Sequence, residues 1–152
     1  MKTQFEILIK SRELVLKAID DLTIEQINTT PKGFKNNIGW NVAHLVVTQQ
    51  LLHYRMSGVN CLVPEDLITN YRKGTFPEKA FNDEEFDEVK DLLIALPETF
   101  IEDFEAGIFE EYEEYQTSTG FVLNSLETAI AFNNFHEGIH LGIILAMRKL
   151  VK

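Results

Sequence analysis

The sequence predicts an all-α fold, a four-helix bundle formed by one domain over residues 1–152. Four long segments repeat their apolar residues at the spacing of a helix, and no segment makes a convincing strand. Helices without a sheet bury their apolar faces against one another, which favours a bundle. A chain of 152 residues is also the usual size of one domain.

The first predicted helix covers residues 3–22. Its apolar stripe comprises Phe5, Leu8, Ile9, Val15, Leu16, Ile19 and Leu22. Arg12 interrupts this stripe and allows two interpretations. The side chain could pack its stem on the protein and hold its charged head in solvent. Alternatively, Arg12 could point into a cavity and bind a substrate.

Residues 23–38 read as a loop with one helical turn near 23–27, and the second helix follows at 39–56. The apolar stripe of this helix contains Trp40, Ala43, Val47, Leu51 and Tyr54. His44 falls on the stripe and is expected to face inward. His53 comes nine residues later, roughly 180° around the helix, and is expected to face outward.

The third and fourth helices are predicted at 83–105 and 124–150. Residues 57–82 contain two glycines and two prolines, which indicates an irregular connection across the end of the bundle. Asn82 or Asp83 should cap the third helix, and Pro97 should kink or divide it. Leu126, Ala129, Ile130, Ile143, Ile144, Met147 and Val151 form the apolar stripe of the fourth.

Charge and composition exclude several classes of protein. The net charge of −10 opposes binding to phosphate backbones, so we expect no nucleic-acid partner. No signal peptide or membrane-spanning run is recognisable, which predicts a cytoplasmic protein without membrane contact. Cys61 is the only cysteine. It cannot form an internal disulfide, and no histidine or basic residue lies near it in sequence to make it a nucleophile.

His136-Glu137-Gly138-Ile139-His140 carries the main chemical signal. Histidines four positions apart on a helix lie about 40° apart around its axis, so both can bind one ion. The letters also match the zinc-protease pattern H-E-x-x-H. The residues after His140 offer no further ligand, which leaves inward-facing His44 as the third. Three imidazoles leave a coordination position open, as in catalytic metal sites.

The chain resembles the DinB/YfiT-like superfamily. The matching features are Pro31-x-Gly33, Asn37-Ile38, Trp40-x-x-x-His44, His136-Glu137-x-x-His140-x-Gly142-x-Ile144 and Arg148-x-Leu150. The resemblance implies an up-down-down-up four-helix bundle, often a homodimer, with a divalent metal on His44, His136 and His140. Family members with known activity include thiol transferases that use bacillithiol or mycothiol and a mycothiol-dependent isomerase. The stretch 142–144 lacks the glutamine that often follows the family's glycine.

Three function classes follow. The first is a transferase that joins a low-molecular-weight thiol to an electrophilic small molecule, the second a hydrolase that uses metal-activated water, and the third a metal-binding stress-response module without turnover. Imidazole ligands suit zinc or nickel, and also iron. Glu137 is a candidate general base or flanks the site. Asn133 and Thr48 could orient a ligand or bound water, or could bond locally to the backbone.

Dimer formation is expected from the resemblance. A second reason is that Leu45, Val46 and Leu52 lie on the side of the second helix away from the ligand, where the helical pattern predicts exposed apolar side chains.

Overall fold

Helices make up most of the chain in the computed structural model, which describes residues 1–152. The α-helices are α1 (Lys2–Ile19), α2 (Ile24–Asn28), α3 (Ile38–Gln49), α4 (Glu65–Tyr71), α5 (Asp83–Glu105) and α6 (Leu126–Val151). A π-helix (Gln50–Tyr54) and a 3-10 turn (Arg55–Ser57) extend α3. The only sheet pairs β1 (Tyr115–Gln116) with β2 (Val122–Leu123) in an antiparallel hairpin.

The all-α prediction is confirmed, and each of the four long predicted helices corresponds to one of α1, α3, α5 and α6. The second predicted helix does reach residue 56 as a continuous helical path, but it changes from α to π geometry at Gln50. Helix α4 and the hairpin were not predicted. Both are short and lie in segments where glycine, proline and acidic residues hide any periodicity.

Helix α5 is not divided at Pro97, contrary to one of the two outcomes expected there. A proline has no N–H to donate to the carbonyl four residues earlier, which is that of Leu93. Nη1 of Arg12 on α1 donates to this carbonyl oxygen instead, at 3.1 Å. The acceptor that Pro97 leaves free is therefore satisfied from another helix.

Contacts between helices establish their relative directions. The start of α1 contacts the start of α6 through Gln4 and Asn134, and their later parts meet through Asp21 and Arg148, so these two helices run in the same direction. Phe5 on α1 packs against Phe100 near the end of α5, so α1 and α5 are antiparallel.

Helices α3 and α6 are also antiparallel, since Asn41 contacts Met147 while His44 contacts His136. This pairing brings the middle of α6 alongside the first turns of α3.

Helix α3 has no solvent-exposed face, because all residues from Asn37 to Val47 are buried. The expectation that Leu45, Val46 and Leu52 are exposed is therefore wrong; their side chains lie in the core. Contacts with α2, α4, α5 and α6 surround this helix. A helix that is covered on all sides is apolar all round, and its sequence pattern cannot separate an inner from an outer face.

His53 is buried too, and the expectation that it faces outward is wrong. It lies in the π-helix, whose i→i+5 bonding uses more residues per turn than an α-helix. Side chains in this segment therefore lag behind the positions that an α-helical wheel assigns. The ring of His53 stacks on Phe100 of α5, with centroids 4.2 Å apart.

None of the helices combines the length and apolar character that crossing a membrane requires.

Candidate metal centre

The three predicted ligands lie together between α3 and α6. One ring nitrogen each from His44, His136 and His140 falls within 4.8 Å of the others. Nε2 of His44 and Nε2 of His136 are 3.2 Å apart. Two nitrogens on a tetrahedral zinc ion, each about 2.0–2.1 Å from it, lie roughly 3.3 Å apart. The spacing therefore fits one shared ion, and His53 is not part of the cluster.

The start of α3 is held firmly, which fixes the position of His44 one turn later. The side chain of Asn37 caps the helix by accepting the N–H of Trp40 at 2.8 Å. Gly39 packs so closely on Phe81 that an added Cβ would lie 2.9 Å from its ring. Any larger residue at position 39 would push α3 away from this neighbour.

His44 is oriented by the loop end of α4. Its Nδ1–H donates to the carbonyl oxygen of Tyr71 at 2.7 Å, which leaves the lone pair of Nε2 directed at the other histidines. The indole of Trp40 stacks on the imidazole at 4.5 Å between centroids and donates its own N–H to Thr75. The ring of His44 is thus fixed in both position and tautomer.

His140 is oriented by Asn41. Its Nδ1–H donates to Oδ1 of Asn41 at 2.7 Å. The amide of Asn41 is held in this direction because its Nδ2 donates to the backbone carbonyl of Asn37 at 2.7 Å. Nε2 of His140 is therefore also a free lone pair.

His136 differs from the other two histidines. Its Nε2 faces His44, but its buried Nδ1 has no hydrogen-bond partner. The ring lies against Phe132, one turn earlier on α6, with the two planes inclined by 29°. Packing, rather than a hydrogen bond, holds this ligand.

Burial keeps all three imidazoles neutral at pH 7. Desolvation lowers the pKa of His44, and it lowers the pKa of His136 to about 2 and that of His140 to about 3. Repulsion from the neighbouring histidines, and for His136 also from Arg12, acts in the same direction. Neutral imidazole is the form that binds a metal, so the donor set matches a divalent ion in chemistry as well as in spacing.

Glu137 points away from the triad, towards α1. Its Oε1 accepts hydrogen bonds from Nη2 of Arg12 at 2.8 Å and from Nε at 3.1 Å, and both side chains are 0% exposed. Arg12 therefore does not hold its head in solvent, and that interpretation is wrong. Nor is its guanidinium open to a substrate, since each of its three nitrogens donates to a protein acceptor.

The other two predicted residues divide between these environments. The hydroxyl of Thr48 lies 3.3 Å from Nε2 of His44, at the triad. Asn133 contacts Glu137 instead, with Nδ2 3.4 Å from its carboxylate. Sequence reasoning missed Asn41 and Tyr71. Asn41 lies three residues before His44 and so shares its helix face, a usable signal. The Tyr71 contact is through a backbone carbonyl, which no sequence pattern reveals.

No curated protein matches the sequence. A family model described as the DinB superfamily matches residues 7–144, a range that includes all three histidines and every residue that orients them. With most of its length matched, the chain is a member of the DinB superfamily.

Proposed function

We propose that this protein is a metal-dependent enzyme that transfers a low-molecular-weight thiol, of the bacillithiol or mycothiol type, to a small electrophile. The observation that carries the proposal is a triad of neutral imidazoles without a free carboxylate beside it. Zinc and nickel are the ions that this donor set favours most. The resemblance of the motifs to thiol transferases supplies the substrate class.

For the fold, we infer one domain arranged as an up-down-down-up four-helix bundle. The parallel contact of α1 with α6 and the antiparallel contacts of α1 with α5 and of α3 with α6 support this arrangement. In such a bundle, facing helices direct polar side chains into a shared interior.

A divalent ion on the triad supplies positive charge that lowers the pKa of a thiol or a water molecule placed beside it. The protein's own residues then have two tasks. His44 and His140 keep their Nε2 lone pairs inward through the bonds to Tyr71 and Asn41. The hydroxyl of Thr48 beside His44 can hydrogen-bond to a sulfur or to the acceptor group of the electrophile.

Thiol transfer makes a smaller demand on the site than hydrolysis. A thiol has a pKa near 8.5, so only a modest reduction yields the thiolate nucleophile, whereas water gains from a nearby proton acceptor. Glu137 is engaged by Arg12 and is not directed at the triad. The hydrolase alternative rests on the H-E-x-x-H letters, and it would need a base other than this glutamate. A metal-binding stress-response module without turnover is the remaining alternative.

The test begins with metal analysis of untagged protein from its native host. The metal-loaded protein is then assayed for consumption of bacillithiol, mycothiol or cysteine with chloroarene and epoxide electrophiles, beside a panel of esters and amides. We expect thiol-dependent turnover that His140→Ala abolishes. Ester or amide cleavage alone would favour the hydrolase, and stoichiometric metal with no turnover in either panel would favour the binding module.

A further inference from the structure

One guanidinium joins all four long helices. Arg12 of α1 donates to the carbonyl oxygen of Leu45 on α3, to that of Leu93 on α5 and to the carboxylate of Glu137 on α6, at distances between 2.8 and 3.1 Å. Arg12 and Glu137 are among the completely buried residues. No other side-chain hydrogen bonds of a single residue reach three other long helices.

Two of these three contacts lie directly beside metal ligands. Leu45 follows His44 in α3, and Glu137 follows His136 in α6. Nη2 of Arg12 bonds to both of these neighbours, so the same nitrogen fixes the separation of the two helices at the level of the triad. His44 and His136 are also the pair whose Nε2 atoms come closest together.

The third contact fixes the guanidinium itself. Pro97 leaves the carbonyl of Leu93 without its helical donor, and Nη1 of Arg12 takes that place. The planar fork of arginine can serve three acceptors in fixed directions, which the single ammonium of a lysine cannot reproduce. The position therefore requires arginine for its geometry as well as its charge.

Stability alone does not account for this pair. A buried ion pair loses so much hydration that well-packed apolar residues of similar volume often stabilise a protein equally well or better. An apolar pair would fill the same space, but it would not define the spacing of backbone atoms beside the ligands.

We propose that Arg12 and Glu137 are positioning residues of the metal centre, which set the relative placement of His44 and His136 by clamping the adjacent residues. The glutamate of the His-Glu-x-x-His sequence is then a brace and not a base. This inference rests on metal binding in the proposed function, although it is independent of which reaction follows.

The test uses Co²⁺ as the probe, because its visible d–d absorption depends on ligand number and geometry. Full-length wild type, Arg12→Met, Glu137→Gln and the double variant Arg12→Met/Glu137→Leu are compared for Co²⁺ affinity, absorption spectrum and melting temperature of the metal-free form. We expect Co²⁺ affinity to fall about 10-fold or more in each variant, with an altered spectrum. In the double variant, apolar packing should restore melting temperature but neither affinity nor spectrum.

Arg148→Met is the matched control. Arg148 also links α6 to α1, through Asp21 and the carbonyl of Ala18, but it bonds to no residue beside a ligand. It should lower the melting temperature and leave Co²⁺ affinity and spectrum unchanged.

Two results would overturn the inference: wild-type Co²⁺ affinity and spectrum in Glu137→Gln and the double variant, or equal losses in Arg148→Met and Arg12→Met. If Arg12→Met does not fold, those two variants decide the question. Failure of the wild type to bind Co²⁺ would instead refute the proposed function on which the inference depends.

Discussion

The three histidines differ in what holds the ring nitrogen that faces away from the others. His44 donates to a backbone carbonyl, His140 donates to an amide side chain, and His136 has no partner for this atom. A backbone acceptor survives every side-chain substitution, whereas the Asn41 contact does not. The contribution of each orienting group can therefore be measured separately.

Replacement of a triad residue by alanine should abolish stoichiometric metal, whereas His53→Ala should retain it. His53 is stacked on Phe100 in the core and lies outside the cluster. Its removal should lower the free energy of unfolding by about 1–3 kcal/mol, because the lost packing is partly offset by removing two buried, unpartnered nitrogens. Elemental analysis and urea unfolding test both statements, and loss of metal from His53→Ala would contradict the first.

Asn41→Ala should weaken zinc binding about 10-fold, since His140 loses the acceptor that fixes its tautomer. Competition with a chromogenic chelator gives the affinity. Asn134→Ala is the control: Asn134 bonds to Gln4 on α1 and has no bond to the triad. Equal affinities in the two variants would show that the Asn41 contact is not needed.

At the scale of the helices, capping residues determine where the long elements begin. Asn82 accepts the N–H of Glu85 at 2.8 Å, and the side chain of Glu85 accepts the N–H of Asn82 at 3.1 Å. This reciprocal pair was partly visible in the sequence, which offered Asn82 as one of two caps for the third helix.

Asn82→Ala should lower the free energy of unfolding by about 1 kcal/mol without changing metal affinity. The expected loss is local, because the cap lies at the solvent-exposed start of α5, which contributes no ligand. Chemical denaturation provides the measurement. Glu84→Gln, in the same first turn but outside the capping pair, should change stability by much less.

How much the sequence could predict depended on the kind of contact. Periodicity located α1, α3, α5 and α6, and the inward stripes identified His44, His136 and His140 before any coordinates. The π-helix was not predictable from the α-helical wheel, so His53 was assigned to the wrong face. The partner of Arg12 was hidden as well, because Glu137 lies 125 residues away and its approach depends on the parallel packing of α1 and α6.

For the whole molecule, the four histidines share one electrostatic property: burial lowers the pKa of each. Protons therefore bind to the unfolded chain first as the pH falls. The metal-free protein has this contribution to stability in full above pH 6.5 and loses it progressively below that value.

We expect the denaturation midpoint of chelator-treated protein to fall between pH 7 and pH 5. The pKa of His53 and that of His140 drop to about 3 in the folded state from 6.5, so each approaches a loss of about 1.4 kcal/mol per pH unit below 6.5. Urea titrations at several pH values measure the slope. A midpoint that stays constant or rises over this range would contradict the lowered pKa values.

A homodimer is expected in solution. Since Leu45, Val46 and Leu52 are buried, its interface must use other residues, and α1 and α6 expose the largest apolar side chains that α-helices in this protein present: Ile7, Leu14, Ile139, Leu145 and Leu150. Light scattering at micromolar concentration should give twice the 17.5 kDa protomer mass. A mass near 17.5 kDa would contradict the prediction.

The contacts of Arg12 have a consequence for the order of folding. Its acceptors lie 33, 81 and 125 residues away along the chain, so the clamp closes only when all four long helices have docked. Among the ligands, His136 and His140 become neighbours as soon as α6 forms, while His44 is 92 residues from His136. Contacts this distant in sequence form slowly. An ion that needs all three imidazoles would bind after the rate-limiting step and would slow unfolding without accelerating folding.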